Sequence, residues 1–376
     1  MSRYWNAVEY FFPYKYQTDQ NWNAVLNEMI PRFFEAQDVT QYHLTLMETV
    51  VKLDDSHATL YTNPLSDFFG RMYIPVHTNL IENKLVVDYI YNDSLAKAND
   101  LRIGDVIEKI DGVEVNKIIN SGNKYNVGSN ESVKAKHRGS FILEGKTDFI
   151  QLTIKRGDAE FEKKCGRFES KYFKYNPQNR EKYKVLDQNV AYLNMEFLEM
   201  KDVDKMMGEL NSAKAMIIDY RGKFNNFRPD VIAKRLIQNK KEYAKLIKPD
   251  LSYPGKFYWE ESKTITPIKT NAYTGKVIVL VNEEAQSSSE YATMILQAGN
   301  DVTTIGSQTS GADGNVSKID FLGYETLMSG VGVFYPDGTE TQRKGVKVDI
   351  KVRPTVKGMQ EGRDEVLEKA LEFAKN

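Results

Sequence analysis

The chain has 376 residues, of which 41% are hydrophobic and 27% are charged, and this length allows more than one folded domain. Its 51 lysines and arginines nearly balance 52 aspartates and glutamates, which argues against a polybasic nucleic-acid surface and against a disordered acidic chain. The one cysteine, Cys165, excludes an intramolecular disulfide and a cysteine-rich zinc site.

The first 63 residues or so have a helical pattern. From Asn21 to Ile30 the apolar residues share one face, which predicts an amphipathic helix that is interrupted at Pro31. A second helix is predicted from Val39 to Leu53. It stops at a polar cluster, Asp54-Asp55-Ser56-His57.

From Phe68 to about Phe168 the sequence predicts a small β-rich domain with one or two helices. The predicted strands are Tyr73–Val76, Lys84–Ile90 and Phe149–Ile154. The Asp111-Gly112 turn between two β-rich runs predicts a hairpin. Leu101 to Gly104 predicts a short helix closed by glycine.

From about Asp187 short apolar strands alternate with helices, which predicts an α/β domain with largely parallel pairing. The predicted strands are Val190–Asn194, Ala215–Asp219 and Lys276–Val281. The predicted helices are Lys201–Ala213, Pro229–Gln238, Ser288–Gln297 and Asp364–Ala374. The polar stretch from Asn239 to Thr270 predicts a connecting loop or an extended edge.

A run of serines, Ser287-Ser288-Ser289-Glu290, stands where a predicted strand passes into a predicted helix. The free N–H groups and the dipole of a helix start favour a nucleophile and an oxyanion there. Serine is also a favoured N-cap, and Ser-x-x-Glu is a capping-box pattern. By itself, this stretch favours the cap.

The order of motifs resembles the carboxyl-terminal processing, or tail-specific, peptidases of serine peptidase family S41. Residues 68–168 resemble the family's PDZ domain through Ser94-x-Ala96, Leu101 and Gly104-Asp105-Val106-Ile107, with Ile110-Asp111-Gly112 following. Residues 187–358 resemble its ClpP/crotonase-like core. The three core motifs are Ile217–Gly222, Ser287–Glu290 and Gly345–Val352.

The resemblance implies an α/β (α+β multidomain) chain in three parts. These are an N-terminal helical segment over residues 1–65 that contributes a Ser-His pair, a PDZ-like peptide-binding domain over 66–168, and a ClpP/crotonase-like peptidase core over 169–376.

The resemblance also implies an active site. Ser287 maps to the nucleophile, and the Ser288 N–H to one half of the oxyanion hole. The other half maps to Asn225 and Asn226, where the family has two glycines. Ala312 stands where the Ser-Lys branch has its lysine, so this is not a Ser-Lys enzyme.

The chain is instead similar to the tricorn-like branch, whose base is a histidine in a Ser-His pair. Ser56-His57 matches that pair, with Ser56 supporting His57. An imidazole with a pKa near ~6.5 is suited to accept a serine proton. The residue that orients His57 stays open between Gln342, which holds the family's place by spacing, Glu340, and Asp313.

Two further groups are expected to contact substrate. Gly311, Ala312 and Asp313 lie in a glycine-rich loop expected near Ser287, and Gly70 and Tyr73 lie where a PDZ domain takes a peptide tail. We therefore expect a serine endopeptidase acting on unfolded or C-terminally exposed polypeptides, without metal or cofactor and without nucleic acid.

Two alternatives of another class remain. One is a catalytically inactive protein that binds a peptide or a lipophilic ligand on the same scaffold. The other is an adaptor that acts through the PDZ-like segment and uses the core as structure. The oligomeric state is not predicted.

The sequence predicts no membrane-spanning helix, because no run of about 18 apolar residues occurs. Residues 1–13 lack the pattern of a signal peptide. The resemblance favours export, so we expect an extracytoplasmic location, in the periplasm or cell envelope, with a signal segment missing from this sequence. A cytoplasmic location is the alternative.

Overall fold

Helices open and close the chain, and strands fill most of its middle. A computed structural model describes residues 1–173, 181–222, 229–268, 272–321 and 323–375. The helices are α1 Ser2–Phe11, α2 Trp22–Glu35, α3 Val39–Val51, α4 Asn63–Phe69, α5 Asp93–Ala98, α6 Val115–Gly122, α7 Glu131–Phe141, α8 Val203–Leu210, α9 Pro229–Leu236, α10 Ser288–Gln297, α11 Val356–Gln360 and α12 Glu365–Lys375. The strands are β1 Met72–Tyr73, β2 Val76–Ile81, β3 Lys84–Ile90, β4 Val106–Ile110, β5 Val113–Glu114, β6 Phe149–Arg156, β7 Ala159–Gly166, β8 Phe168–Glu169, β9 Tyr183–Leu186, β10 Val190–Asn194, β11 Ala215–Asp219, β12 Lys241–Pro249, β13 Phe257–Trp259, β14 Lys263–Ile265, β15 Lys276–Val281, β16 Val302–Gly306, β17 Val316–Phe321, β18 Tyr324–Ser329, β19 Gly332–Phe334 and β20 Ile350–Lys351.

The largest sheet of the second half has six strands in the order β20-β16-β15-β11-β10-β9. Within this sheet, each pair of adjacent strands from β10 to β20 is parallel, and β9 pairs antiparallel to β10. The central strands β11 and β15 are continuous apolar runs because helices cover both faces of a parallel sheet. The predicted α/β class is confirmed, as are the three predicted strands of this region.

The helices that cover this sheet fix where the chain turns. Residues of α8, α9 and α10, such as Met206, Ile232 and Met294, form one core with the sheet. On the other face, Val366 and Ala370 of α12 pack with Ile217 and its neighbours. The chain leaves the carboxyl end of β15 and enters α10 beside β16. The loops that follow these two strands therefore meet at one edge of the sheet.

A second sheet lies between residues 76 and 166 and is antiparallel, in the order β2-β3-β4-β6-β7, with β5 on β4. The hairpin predicted at Asp111-Gly112 is confirmed, since it joins β4 and β5. The helix predicted at Leu101–Gly104 is wrong. That stretch is a turn, in which Asp105 Oδ2 accepts a 2.9 Å bond from Arg102 N–H, and the nearby helix is α5.

The N-terminal helices pack against the β17–β18 hairpin rather than against each other alone. Buried Val8 and Leu46 share a core with Ile319 of β17 and Met328 of β18. The loop that follows α3 lies along β18, where Leu60 forms a β-bridge with Thr326. This packing carries a segment near residue 57 to the carboxyl-end edge of the parallel sheet.

One other prediction about an element is wrong, and another is confirmed in part, because the stretch 239–270 is extended chain rather than a connecting loop. The helix expected to be interrupted at Pro31 continues to Glu35. Pro31 and Asn27, the residue four positions earlier whose carbonyl loses its partner, are both exposed, so water can satisfy that carbonyl. The polar stretch 239–270 contains β12, β13 and β14, because β12 gains partners on both sides, including β19.

Candidate active site

Ser287 lies at the sharp turn from β15 into α10 with φ 52° and ψ −111°, a backbone conformation that a non-glycine residue rarely adopts. Its N–H donates to Ala312 O at 2.9 Å and to Glu290 Oε2 at 3.3 Å, and its carbonyl accepts from Tyr291 N–H at 2.9 Å. An ordinary N-cap has an extended backbone and needs no such strain. Strain of this kind, about 1–3 kcal/mol, is typical of residues held for function, as in a strand-to-helix turn that exposes a nucleophile.

The start of α10 leaves a free donor beside Ser287. Ser288 is exposed, and its N–H donates to no residue in the described part of the chain. The ten-residue helix adds the positive end of its dipole at this point. The arrangement suits an anionic oxygen attached to a group bonded to Ser287.

Glu290 ties the Ser287 turn to the glycine-rich loop. Its fully buried carboxylate accepts from Thr309 Oγ1 at 2.5 Å, Gly311 N–H at 2.8 Å, Ala312 N–H at 3.1 Å and Ser287 N–H at 3.3 Å. Burial raises the pKa of this carboxyl to about 7. The four hydrogen bonds act in the opposite direction, because they favour the ionised form. Glu290 therefore holds both segments in one conformation.

Replacing Glu290 by glutamine is expected to lower the free energy of unfolding by about 2–3 kcal/mol, because an amide cannot accept on both sides. A raised pKa also predicts that the wild-type carboxyl stabilises the fold fully below about pH 4 and loses that contribution as pH rises through about 7. Urea unfolding at about pH 5 and about pH 8 checks both effects. Glu290→Gln should reduce this pH dependence, whereas Glu325→Gln, at an exposed ion pair with Lys318, should keep it. A wild type equally stable at both pH values would contradict the prediction.

The glycine-rich loop supports Ser287 from beneath. Gly311 has φ +64°, and a Cβ there would lie 2.7 Å from Arg343 C, so glycine is required. Ala312 is fully buried and offers no proton acceptor in its side chain. The N–H groups of Gly311 and Ala312 are both used by Glu290, so these residues shape the site from behind. Asp313 is buried as well, its Oδ2 has no hydrogen-bond partner among the described residues, and burial raises its pKa well above the usual range.

Ser56 joins the N-terminal segment to this loop. Its Oγ donates to Ser310 O at 3.2 Å and accepts from Ser129 N–H at 2.8 Å, while Ser56 N–H donates to Ser129 Oγ at 2.7 Å. Gln286, the residue before Ser287, donates through Nε2 to Ser56 O at 3.3 Å. The predicted Ser56-His57 pair is therefore brought against the Ser287 turn. Within the described residues no hydrogen bond joins His57 to Ser287, and the Ser56 hydroxyl does not bond the His57 ring.

The His57 ring is buried, and the hydrogen bond it makes among the described residues is to Ser329. Its Nδ1 lies 2.8 Å from Ser329 Oγ and 3.9 Å from Asp55 Oδ1. Burial lowers the pKa of His57 below its usual value, and the charge of Asp55 partly opposes this effect. His57 is therefore neutral at neutral pH and can accept a proton.

The three candidates for the residue that orients His57 are placed differently. Gln342 is buried and donates through Nε2 to Asp55 Oδ1 at 3.4 Å. Glu340 accepts from Tyr16 Oη at 2.5 Å and pairs with Lys344 nearer the surface. Asp313 makes no bond to His57 among the described contacts.

Sequence reasoning missed two residues close to His57 Nδ1, which are Ser329 and Asp55. Asp55 stands two positions before His57, so the polar cluster itself could have suggested it. Ser329, which is 272 positions away in the chain, had no signal in the sequence.

The other histidines lie away from this site. His43 is in α3 with its ring 4.6 Å from that of Tyr324, and His77 in β2 bonds Asp88 and Ser140. His137 is in α7, where its Nδ1 donates to Val127 O at 2.8 Å, and it lies in the wall of the cleft described below. In the part of the chain that the structure describes, no group of three or more histidine, cysteine, aspartate or glutamate side chains is placed to hold a metal ion.

A cleft of about 590 Å³ has both Ser56 and Tyr73 of β1 in its lining. It is lined by residues of α4, α6 and α7, among them exposed Phe69 and Phe141. Gly70 and Tyr73, predicted to contact a peptide, both lie in its wall. Gly70 has φ +109°, and a Cβ there would lie 2.0 Å from Gly145 O, so the wall needs glycine at this point. Asn225 and Asn226, predicted to lie at the oxyanion hole, are outside the described residues.

Comparisons with known proteins bear on the fold and on the second half of the chain. Residues 189–352 match the sequence model of peptidase family S41. No curated protein matches the sequence. The solved structure of mature CPAF complexed with lactacystin is similar, with 12% identity, a TM-score of 0.77, and 100% of this chain and 96% of that chain covered. The photosystem II D1 C-terminal processing protease has 14% identity, a TM-score of 0.51, and 95% and 94% covered. At these identities the two structures show a shared fold.

No helix in the described residues is long and apolar enough to cross a membrane.

Proposed function

We propose that this chain, which carries a serine-type peptidase domain of family S41 over residues 189–352, is an endopeptidase that hydrolyses extended polypeptides with Ser287 as nucleophile and His57 as general base. The observation that carries the proposal is the backbone of Ser287, strained at φ 52° at the start of α10, beside the Ser288 N–H, which donates to no residue in the described part of the chain. The neutral His57, brought to the same turn through Ser56 and Gln286, supplies the base.

The proposed reaction is acyl transfer in two halves. Ser287 Oγ attacks the carbonyl carbon of the scissile bond while His57 Nε2 takes the hydroxyl proton. The negative charge that develops on the carbonyl oxygen is stabilised by the Ser288 N–H and the α10 dipole. His57 then gives the proton to the leaving amine, and the acyl group stays on Ser287.

Water completes the second half. It attacks the ester carbonyl as His57 takes its proton, and collapse of the intermediate returns that proton to Ser287 Oγ and releases the acid. Because His57 and Ser287 share no hydrogen bond in this structure, the proposal requires the contact to tighten when substrate binds, as catalytic hydrogen bonds often do.

The cleft is the proposed path of the substrate. Its aromatic residues, Phe69 and Phe141 among them, can bury apolar side chains, and Ser56 at its end places a bound chain next to His57. In this proposal Gly70 and Tyr73 also contact the substrate, as part of a PDZ-like domain over residues 66–168. A folded domain cannot enter such a cleft, so unfolded or tail-exposed polypeptides are the expected substrates.

The tricorn-like branch, the ClpP/crotonase-like core over residues 169–376 and an extracytoplasmic location belong to the same proposal. They are supported by the Ser-His pair before the core, by Ala312 in place of a lysine, and by the resemblance of the motifs to exported tail-specific peptidases. The first 65 residues then act as part of the peptidase, because they carry His57.

The test is to incubate the protein with casein, which is unfolded, and with a folded protein of similar size. We expect peptide products from casein alone, with apolar residues enriched on one side of the cleaved bonds. A fluorophosphonate probe should label Ser287, and mass spectrometry of the labelled peptide locates the adduct. A protein that neither cleaves casein nor reacts with the probe would overturn the proposal.

A further inference from the structure

A buried carboxylate, that of Asp55, is linked to the His57 ring through one intervening side chain. Asp55 is fully buried and accepts four hydrogen bonds, from Ser329 N–H at 2.6 Å, Ser329 Oγ at 3.0 Å, His57 N–H at 3.1 Å and Gln342 Nε2 at 3.4 Å. All four contacts use Asp55 as an acceptor. Its carboxylate lies 3.9 Å from His57 Nδ1, and its charge acts to raise the pKa of His57.

The Ser329 hydroxyl determines which nitrogen of His57 carries the proton. At 3.9 Å, Asp55 is too far to accept from Nδ1 directly. Ser329 Oγ lies between them, 2.8 Å from Nδ1 and 3.0 Å from Asp55 Oδ1. A hydroxyl has one proton, and a carboxylate can only accept, so that proton goes to Asp55. Ser329 must then accept from Nδ1–H, which leaves the lone pair on Nε2.

We propose that Asp55 and Ser329 are positioning residues of the peptidase reaction, in which Asp55 acts on His57 through the Ser329 hydroxyl. The inference rests on the function proposed above. The relay holds neutral His57 in the tautomer whose Nε2 can accept the Ser287 proton. When His57 becomes positively charged during the reaction, the same relay places the Asp55 charge behind it.

Asp55 supplies the negative charge in this relay. Among the described residues, Asp55 is the charged group that acts on the titration of His57. Gln342 is neutral and donates to Asp55, so it fixes the carboxylate without supplying charge. Tyr4, also buried close to Asp55, has a pKa raised above its usual value by burial and stays neutral.

The first test removes the hydroxyl and leaves the carboxylate bound. Ser329→Ala keeps the bonds that Asp55 accepts from the backbone of Ser329 and His57. We expect kcat for casein peptides to fall about 10–100-fold with KM changed by less than about 3-fold, and Ser329→Thr to restore part of the loss. Thr326→Val is the matched control, because Thr326 lies on the same strand, is fully buried, and its hydroxyl has no partner among the described residues. It should keep wild-type kcat.

The second test changes the charge. Asp55→Asn should lower kcat further, about 10²–10⁴-fold, and move the acid limb of the pH–rate profile to lower pH, because the negative charge that raises the pKa of His57 is gone. In a Ser329→Ala background the same change should cost much less, since the two act as one unit. A merely structural role would give additive losses and an unmoved acid limb.

A readout independent of turnover separates this inference from the proposed function. In Ser287→Ala protein, nitrogen NMR of the imidazoles should show a proton on Nδ1 of His57, and Ser329→Ala should shift His57 toward a mixture of tautomers. The chain has four histidines, so His57→Gln assigns the signal. A proton on Nε2, or wild-type kcat in Ser329→Ala, would overturn the inference. Loss of casein cleavage in the wild type itself would instead overturn the proposed function.

Discussion

Replacing Ser287 by alanine is expected to lower kcat/KM for an unfolded polypeptide by about 10⁴-fold or more, because its hydroxyl is the group that we propose carries the acyl intermediate. The loss should lie in kcat, since the cleft that binds the chain is untouched. Discontinuous assays of casein peptides over hours, with active-site titration of the wild type, measure it. Removing the hydroxyl leaves the Ser287 backbone and its bonds to Ala312 and Glu290 in place, so the variant should fold.

The neighbouring serine provides the matched control. Ser288→Ala retains the N–H that the mechanism uses and removes an exposed hydroxyl. It should keep kcat/KM within about 3-fold of wild type. Equal activity in Ser287→Ala and wild type would show that another residue is the nucleophile.

The second large effect is expected at His57, which must be unprotonated to act as a base. As pH falls through its pKa, the imidazole gains a proton and activity is lost. Burial lowers that pKa below its usual value near ~6.5. The wild type should therefore retain more than half of its plateau kcat/KM at about pH 6.5.

His57→Gln should reduce kcat/KM by about 10³-fold or more and remove this acid limb, because an amide cannot take the proton. Combined with Ser287→Ala it should cost almost nothing more, as residues that act together are not additive. His77→Gln, which changes a histidine of β2 bonded to Asp88 and Ser140, should keep both the wild-type rate and the acid limb. A wild-type limb centred above about pH 7 would contradict a buried His57 as the base.

The α/β class and the strands of the parallel sheet could be predicted because the information is local. Ala215–Asp219 and Lys276–Val281 are apolar along nearly their whole length, as strands covered on both faces must be. The start of α10 at Ser288 was equally clear from the change of pattern. In contrast, β12 was missed because its charged sequence acquires partners only in the folded chain, where it pairs with β13, β14 and β19.

The candidate site was predictable in its parts. Ser287 and His57 came from motifs, and the absence of a Ser-Lys pair followed from Ala312. The role of Ser287 as cap or nucleophile could not be decided locally, because both need serine at a helix start. The capping box between Ser287 and Glu290 is formed, and the strained backbone of Ser287 at φ 52° supports its proposed role as nucleophile. That conformation depends on Glu290 and the loop that it binds.

By itself the sequence determined which residue types are present, the alternation of strands and helices, and the position of Ser287 at a strand-to-helix turn. Only the tertiary structure decided what stands behind His57. Ser329 and Asp55 are 274 positions apart, and the packing of the N-terminal helices on the β17–β18 hairpin brings them together. Hydrogen bonds of about 3 Å between distant segments have no periodicity and no local propensity, so they can be read only after the chain has folded.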